Sequence, residues 1–314
     1  MASSGSDNFS VNRNEIINLA AEMAGVKGTG TVLSAATINS MAMLLNLIVK
    51  QWMGKADFAP GLKVWSRKRA YLFPALNTSS YSLGPSGTHF TATYYSTTLD
   101  ANEAIGQTTL SVTSTASMVN ADNIGIRCND GSIHWSTVSS FVANDTVTIA
   151  SALTVAADSG ATVYYYTSKA PMPLDIISIR RRDTSNNETP MAKMTLADYE
   201  EGILNKQEDG DPSSFLYERG ITNGTIRFDL EPTDTSEVYM VTYLRPIEDF
   251  DSATDSPDYP QEWYRALVGQ LAMDVSVWRG VPLSPEVKLY RDESLGVAQN
   301  VDAENEVVFF QPEL

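Results

Sequence analysis

Apolar residues recur at helical spacing only near the two ends of the chain, and between those ends they alternate in short runs separated by turn residues. In residues 13–26, Ile16, Leu19, Ala20 and Met23 share one predicted helical face, and Gly25, Gly28 and Gly30 end the run. In residues 34–53, Ile38, Met41, Leu45, Ile48 and Trp52 alternate three and four apart, which predicts a long helix with these side chains in the core. Near the other end, Pro260 sits in the first turn of a helix whose apolar face is Trp263, Leu267, Leu271, Val275 and Trp278. Ser284, Pro285 and Glu286 then cap a last helix reaching about Val297.

The middle reads as strands and turns. Val64 and Trp65 lead into a strand that carries Arg67, Lys68 and Arg69, followed by a turn region at 84–87. Short strands are expected at 108–112, 124–128, 133–138, 146–149 and 162–166, with turns at Asn129, Asp130, Gly131 and at Asp158, Ser159, Gly160. Beyond Pro171 and Pro173 the pattern predicts a strand at 174–181 and a short helix at 196–203 whose cap is Thr195 with Asp198. A β-hairpin is expected from strands 225–230 and 237–244 joined across 231–236. The expected class is α+β. Residues 1–90 and 168–314 make a body, a helical bundle of the N- and C-terminal helices with a β-hairpin region. A small β-barrel or sandwich is inserted at 91–167, and 305–314 form an extended tail.

Composition changes this picture little. A hydrophobic content of 43% with 19% charged residues is that of a folded globular chain. The most apolar stretch, 41–49, contains Asn46 and is too short to span a bilayer, so no membrane association is expected. Residues 1–8 lack a hydrophobic signal core, which predicts a soluble protein made in a cytoplasm. Cys128 is the lone cysteine, so no internal disulfide or thiolate zinc cage is available.

Charge is more informative, because residues 1–195 hold 13 acidic and 14 basic residues whereas 196–314 hold 25 and 8, for a total of −16. An acidic surface repels phosphate, which argues against sequence-specific nucleic-acid binding. It suits a wall that DNA slides past, and it equally serves solubility.

Catalytic patterns are sparse. His89 and His134 are the only histidines, and no nucleophile elbow, HExxH helix, phosphate-binding loop or GxGxxG opening occurs. No enzymatic activity and no cofactor or metal is expected, although a spatial pair of carboxylates is invisible to sequence. The triplets Arg67, Lys68, Arg69 and Arg180, Arg181, Arg182 read either as solvated strand ends or as inter-subunit contacts to an acidic neighbouring copy. Val307, Val308, Phe309 and Phe310 either fold back on the body or add a strand to a partner.

The run Asn14, Glu15, Ile16, Ile17, Ala24, Gly25, Val26, with Leu45, Asn46, Lys50, Trp52, Gly61, Leu62 and Trp65, resembles the opening of the tailed-phage head-to-tail adaptor (connector) family of the tail tubular protein A kind. Tyr243, Arg245, Pro246, Glu248 and Asp249, followed by Asp258, Pro260, Glu262, Trp263, Ala266, Leu267, Leu271 and Ala272, resemble its C-terminal helical segment. Ile124, Gly125, Ile126, Asp130, Gly131, His134, Trp135 and Val147 are similar to its β insert, with Cys128 as a departure. The resemblance implies a structural virion protein that forms a homo-oligomeric, commonly dodecameric ring at the capsid vertex. The ring would dock on the portal protein, here through Val307 to Phe310, and meet nozzle or tube proteins of the tail. It would continue the DNA ejection channel without sequence-specific binding, after assembly in the host cytoplasm. The competing expectation is a tail-associated receptor-binding module that grips a host glycan with Trp135 and Tyr164 to Tyr166. A third is a tail enzyme working through paired carboxylates.

Overall fold

The computed structural model describes residues 5–28, 30–56, 59–60 and 64–301. In chain order the elements are α1 (Arg13–Met23), α2 (Ala35–Met53), β1 (Lys55–Ala56), β2 (Ala59–Pro60), β3 (Arg67–Leu72), β4 (Ser80–Leu83), β5 (Phe90–Thr91), β6 (Tyr95–Thr98), β7 (Thr109–Ser111), β8 (Asn123–Arg127), β9 (Ile133–Phe141) and β10 (Thr146–Ile149). They continue as β11 (Thr162–Tyr166), β12 (Asp175–Arg182), β13 (Glu188–Lys193), β14 (Ser214–Glu218), β15 (Gly224–Phe228), β16 (Val238–Leu244), α3 (Tyr264–Arg279) and α4 (Pro285–Val301). Two compact units result, one from residues 1–66 and 246–314 and the other from 67–245.

The chain is mostly β, which overturns the expected helical-bundle body. A curled eight-stranded sheet and a curled six-stranded sheet carry most of the regular structure. Helical periodicity stands out in a sequence because one long segment carries it. The large sheet is assembled from short strands far apart in the chain, so no single segment announces it.

In the helical unit, α1 begins with a capping box: Glu15 N–H donates to the Asn12 side chain at 3.0 Å and Asn12 N–H to the Glu15 carboxylate at 2.8 Å. Ser34 caps α2 by accepting Thr37 N–H at 3.2 Å, and Gly280, at φ +67°, ends α3 in the left-handed region. Met41, Leu45, Ile48, Trp52, Trp263, Leu267 and Leu271 are buried, while Ile38 is half-buried at the margin. The α1 face differs from expectation. Ile16, Ile17, Ala20 and Ala21 point inward while Leu19 is 47% exposed. Trp278 is also outside the core, where the guanidinium of Arg279 lies 4.4 Å from its ring centre. It sits in the last turn of α3, past the last inward-facing residues Val275 and Ser276.

In the other unit, the large sheet has the order β4-β15-β14-β13-β12-β16-β3-β5, and only the β13–β14 pair is parallel. The expected hairpin does not form: β15 lies between β4 and β14, and β16 between β12 and β3. The intervening loop is held by the smaller sheet instead, since Asp234 pairs with Arg127 at 3.1 Å and the Thr235 hydroxyl donates to the Gly131 carbonyl. The expected helix at 196–203 is a single π-type turn at Asp198–Gly202, and Thr195 and Asp198 exchange hydrogen bonds at its start. The six-stranded sheet runs β6-β11-β8-β9-β10-β7. A bridge between Leu99 and Val112 joins its outer edges and closes it as a small barrel around Leu110, Ile124, Ile126, Val147 and Val163.

Candidate assembly interface

Strand β16 brings the two basic triplets together. Its Thr242 pairs with Arg69 of β3 on one side and Ser178 of β12 on the other, and its Met240 pairs with Tyr71 and Arg180. Because side chains alternate across a strand, Arg67, Arg69, Arg180 and Arg182 fall on one face of the sheet, whereas Lys68 and Arg181 fall on the opposite face. Residues more than a hundred positions apart in sequence thus share one surface, on strands that flank β16.

The members of this row differ in how they are held. Arg69 and Arg180 are exposed, and Arg180 pairs with Glu188 at 3.4 Å. Arg182 donates to the Tyr94 hydroxyl and lies 5.5 Å from the centre of the Tyr71 ring. Burial pushes the Tyr94 phenol upward, opposed by the charge of Arg182. Tyr71, Tyr94, Tyr95 and Arg182 also border an open cleft of about 440 Å³. On the other face Arg181 is committed within the subunit, at 3.1 Å from Asp211 and 3.5 Å from Glu237. Burial raises the Glu237 carboxyl in spite of this arginine.

An ordered acidic segment supplies the opposite charge. Asp249 pairs with Lys50, and the carbonyl of Asp251 accepts from Arg13 at 3.4 Å. The first-turn N–H groups of α1 reach the same segment, Arg13 to the Asp255 carbonyl at 2.8 Å and Asn14 to the Ala253 carbonyl at 3.3 Å. Glu248, Asp249 and Asp251 face solvent on this fixed backbone.

The helical unit also exposes apolar side chains. Met43 and Leu47, four apart on α2, are 68% and 59% exposed, and Leu289, Val297 and Val301 form an outward row on α4. The signal for Met43 and Leu47 was in the sequence: α2 is apolar on a second face beyond the stripe that makes the core. Val307, Val308, Phe309 and Phe310 lie outside the described residues.

The remaining candidates are engaged by neighbours within the chain. His89 stacks on Trp135 at 3.7 Å between ring centres and is hydrogen-bonded to the Tyr166 hydroxyl at 2.6 Å. Burial, aided by Lys169, lowers its imidazole to about 3, which makes it a poor base at neutral pH. His134 contacts the Thr154 hydroxyl and the Ser151 carbonyl, each at 3.2 Å. Trp135, Tyr164 and Tyr166 pack around Phe73, and the Tyr165 hydroxyl donates to the Ala116 carbonyl. Cys128 is buried, which raises its thiol. Among the described residues, no group of three or more His, Cys, Asp or Glu residues is placed to hold a metal, and no helix is long and apolar enough to cross a membrane. The chain matches no protein-family model and no curated protein sequence.

Proposed function

We propose that this chain is a structural assembly component whose copies join side by side into a ring, and that the ring is a head-to-tail adaptor of a tailed-phage virion. The observation that carries the self-assembly reading is the convergence of Arg67, Arg69, Arg180 and Arg182 on one sheet face, in a chain whose residues 196–314 hold 25 acidic and 8 basic side chains. A basic row on one copy and the fixed acids Glu248, Asp249 and Asp251 on the next are complementary surfaces of the kind that close a heterologous ring. Exposed apolar residues on α2 and α4 supply the non-polar area that ion pairs alone do not. The adaptor identity, with the portal as partner through Val307 to Phe310 and DNA passing an acidic wall, rests on the sequence resemblance. The glycan-binding alternative drew on Trp135 and Tyr164 to Tyr166, and these side chains are occupied by packing around Phe73 and by the barrel.

Electron microscopy of the protein mixed with portal tests the reading. Rings are expected, the double variant Arg69→Glu, Arg180→Glu should lose them, and Glu248→Lys with Asp251→Lys added to that variant should restore them. Rings that persist in the double variant would remove the electrostatic joint.

A further inference from the structure

The helical unit carries an apolar groove that its own fold leaves open. Phe9, Val11, Leu19, Met23, Val268 and Tyr290 line a cleft of about 230 Å³, with Arg265 at its edge. Its walls are well fixed. Phe9 is 6.5 Å from Tyr264 between ring centres, the Gln261 amide holds the Asp7 carbonyl at 3.1 Å, and the Arg265 guanidinium covers the Tyr290 ring at 4.2 Å. Yet Phe9 and Leu19 are 66% and 47% exposed, so the cleft presents large apolar side chains to water.

We propose that this groove receives the C-terminal segment Val307 to Phe310 of its own chain. The first argument is reach. Tyr290 belongs to α4 and lies eleven residues before its last residue, Val301, about 16 Å along the helix axis at the usual rise. The six residues from Val301 to Val307 span up to ~20 Å when extended, so a chain that doubles back along α4 brings Val307 level with Tyr290. The second argument is chemistry. Val307, Val308, Phe309 and Phe310 are consecutive apolar residues, the class of side chain that lines the groove, and Asp302, Glu304 and Glu306 just before them carry the charge that Arg265 complements. The third is tethering: a segment joined to the groove wall by so short a linker is presented at an effective concentration of order millimolar, which a free competitor must exceed.

The inference concerns the chain before it meets the portal, when Val307 to Phe310 are not engaged there; its test omits the portal, so a tail that fails to bind the groove leaves the ring reading standing. A fluorescein-labelled peptide of residues 302–314 is titrated with the full-length chain and with the full-length variant Phe309→Asp, Phe310→Asp, and fluorescence anisotropy is read. The peptide should bind the variant at least tenfold more tightly than the intact chain, whose own segment occupies the groove. Adding Leu19→Glu to the variant should weaken binding at least tenfold, and so should replacing both phenylalanines of the peptide by alanine. Equal binding to intact chain and variant, no binding to the variant, or indifference to Leu19→Glu would each overturn the proposal. A concentration-dependent dimer of the intact chain that the variant lacks would assign the groove to a second copy's tail and overturn it too.

Discussion

Asn46 holds both backbone groups of Phe250: its Nδ2 donates to the Phe250 carbonyl at 3.3 Å and its Oδ1 accepts the Phe250 N–H at 2.9 Å. The polar residue within the most apolar stretch of the chain is therefore the anchor of the acidic segment. It fixes the point at which Phe250, 3% exposed, enters the helical core while Asp249 and Asp251 stay outside. Replacing Asn46 by leucine leaves two backbone groups without partners, at a cost of about 1–3 kcal/mol. Thermal denaturation of Asn46→Leu should show the lowered midpoint, and limited proteolysis should show earlier cleavage within 248–258. An unchanged midpoint would mean that water serves Phe250 equally well.

Gly125 and Trp135 face each other across β8 and β9, and the indole takes the space a side chain at 125 would need: a Cβ there would lie 2.7 Å from the ring. The same ring stacks on His89 with an interplanar angle of 7°. Gly125→Val should displace the indole and cost about 1–3 kcal/mol through overpacking. A shift in tryptophan fluorescence and a lowered denaturant midpoint are the expected readouts, and a variant with wild-type values for both would refute the contact.

His89 gives the fold a pH dependence whose sign follows from its environment. Burial, aided by Lys169, lowers the folded-state pKa to about 3 from the ordinary 6.5, so the unfolded chain takes up a proton that the folded chain refuses. The stability this residue supports is therefore complete above pH 6.5 and is lost as pH falls from there toward 3. The slope is at most about 1.4 kcal/mol per pH unit. Chemical denaturation between pH 7 and pH 5, ahead of most carboxylate titration, should show this fall in the wild type and a flatter profile in His89→Gln. Parallel profiles would show that the imidazole gains access to water.

The helices were legible because periodicity and capping are local. The stripe from Met41 to Trp52 is buried, whereas the caps Asn12 and Ser34 are seen in the structure. The strands at 146–149 and 162–166 were legible for the same reason, being short runs of β-branched and aromatic residues closed by turns. What failed was pairing. β15 and β16 are consecutive strands separated by turn-rich sequence, which suggests a hairpin, yet contacts of Asp234 and Thr235 with the smaller sheet carry the chain elsewhere. β13 was missed because Met191 is its only buried residue and Pro190 interrupts it. The basic triplets were visible as residues, but their common face depends on the register of both neighbours of β16, which no local pattern encodes.

That shared face separates two arginine phenotypes. Arg181 has a side chain only 13% exposed and is paired with Asp211 and Glu237, so it serves the fold. Arg181→Ala leaves the half-buried Glu237 carboxylate without its counter-charge and should lower stability by about 1–3 kcal/mol. Arg69 and Arg180 are exposed on the opposite face, where a single ion pair contributes at most about 1 kcal/mol to folding. Arg69→Ala and Arg180→Ala should therefore melt like the wild type and weaken association between copies instead. Salt should have the same effect, since the screening length shrinks from about 10 Å at 0.1 M to about 3 Å at 1 M. Sedimentation velocity in the presence of portal, at low and high salt, distinguishes the cases: Arg69→Ala, Arg180→Ala should lose both the assembly and its salt sensitivity, while Arg181→Ala, below its melting temperature, should keep both. Assembly in the double variant that matches the wild type at every salt concentration would show that the basic row is a solvated surface and no joint.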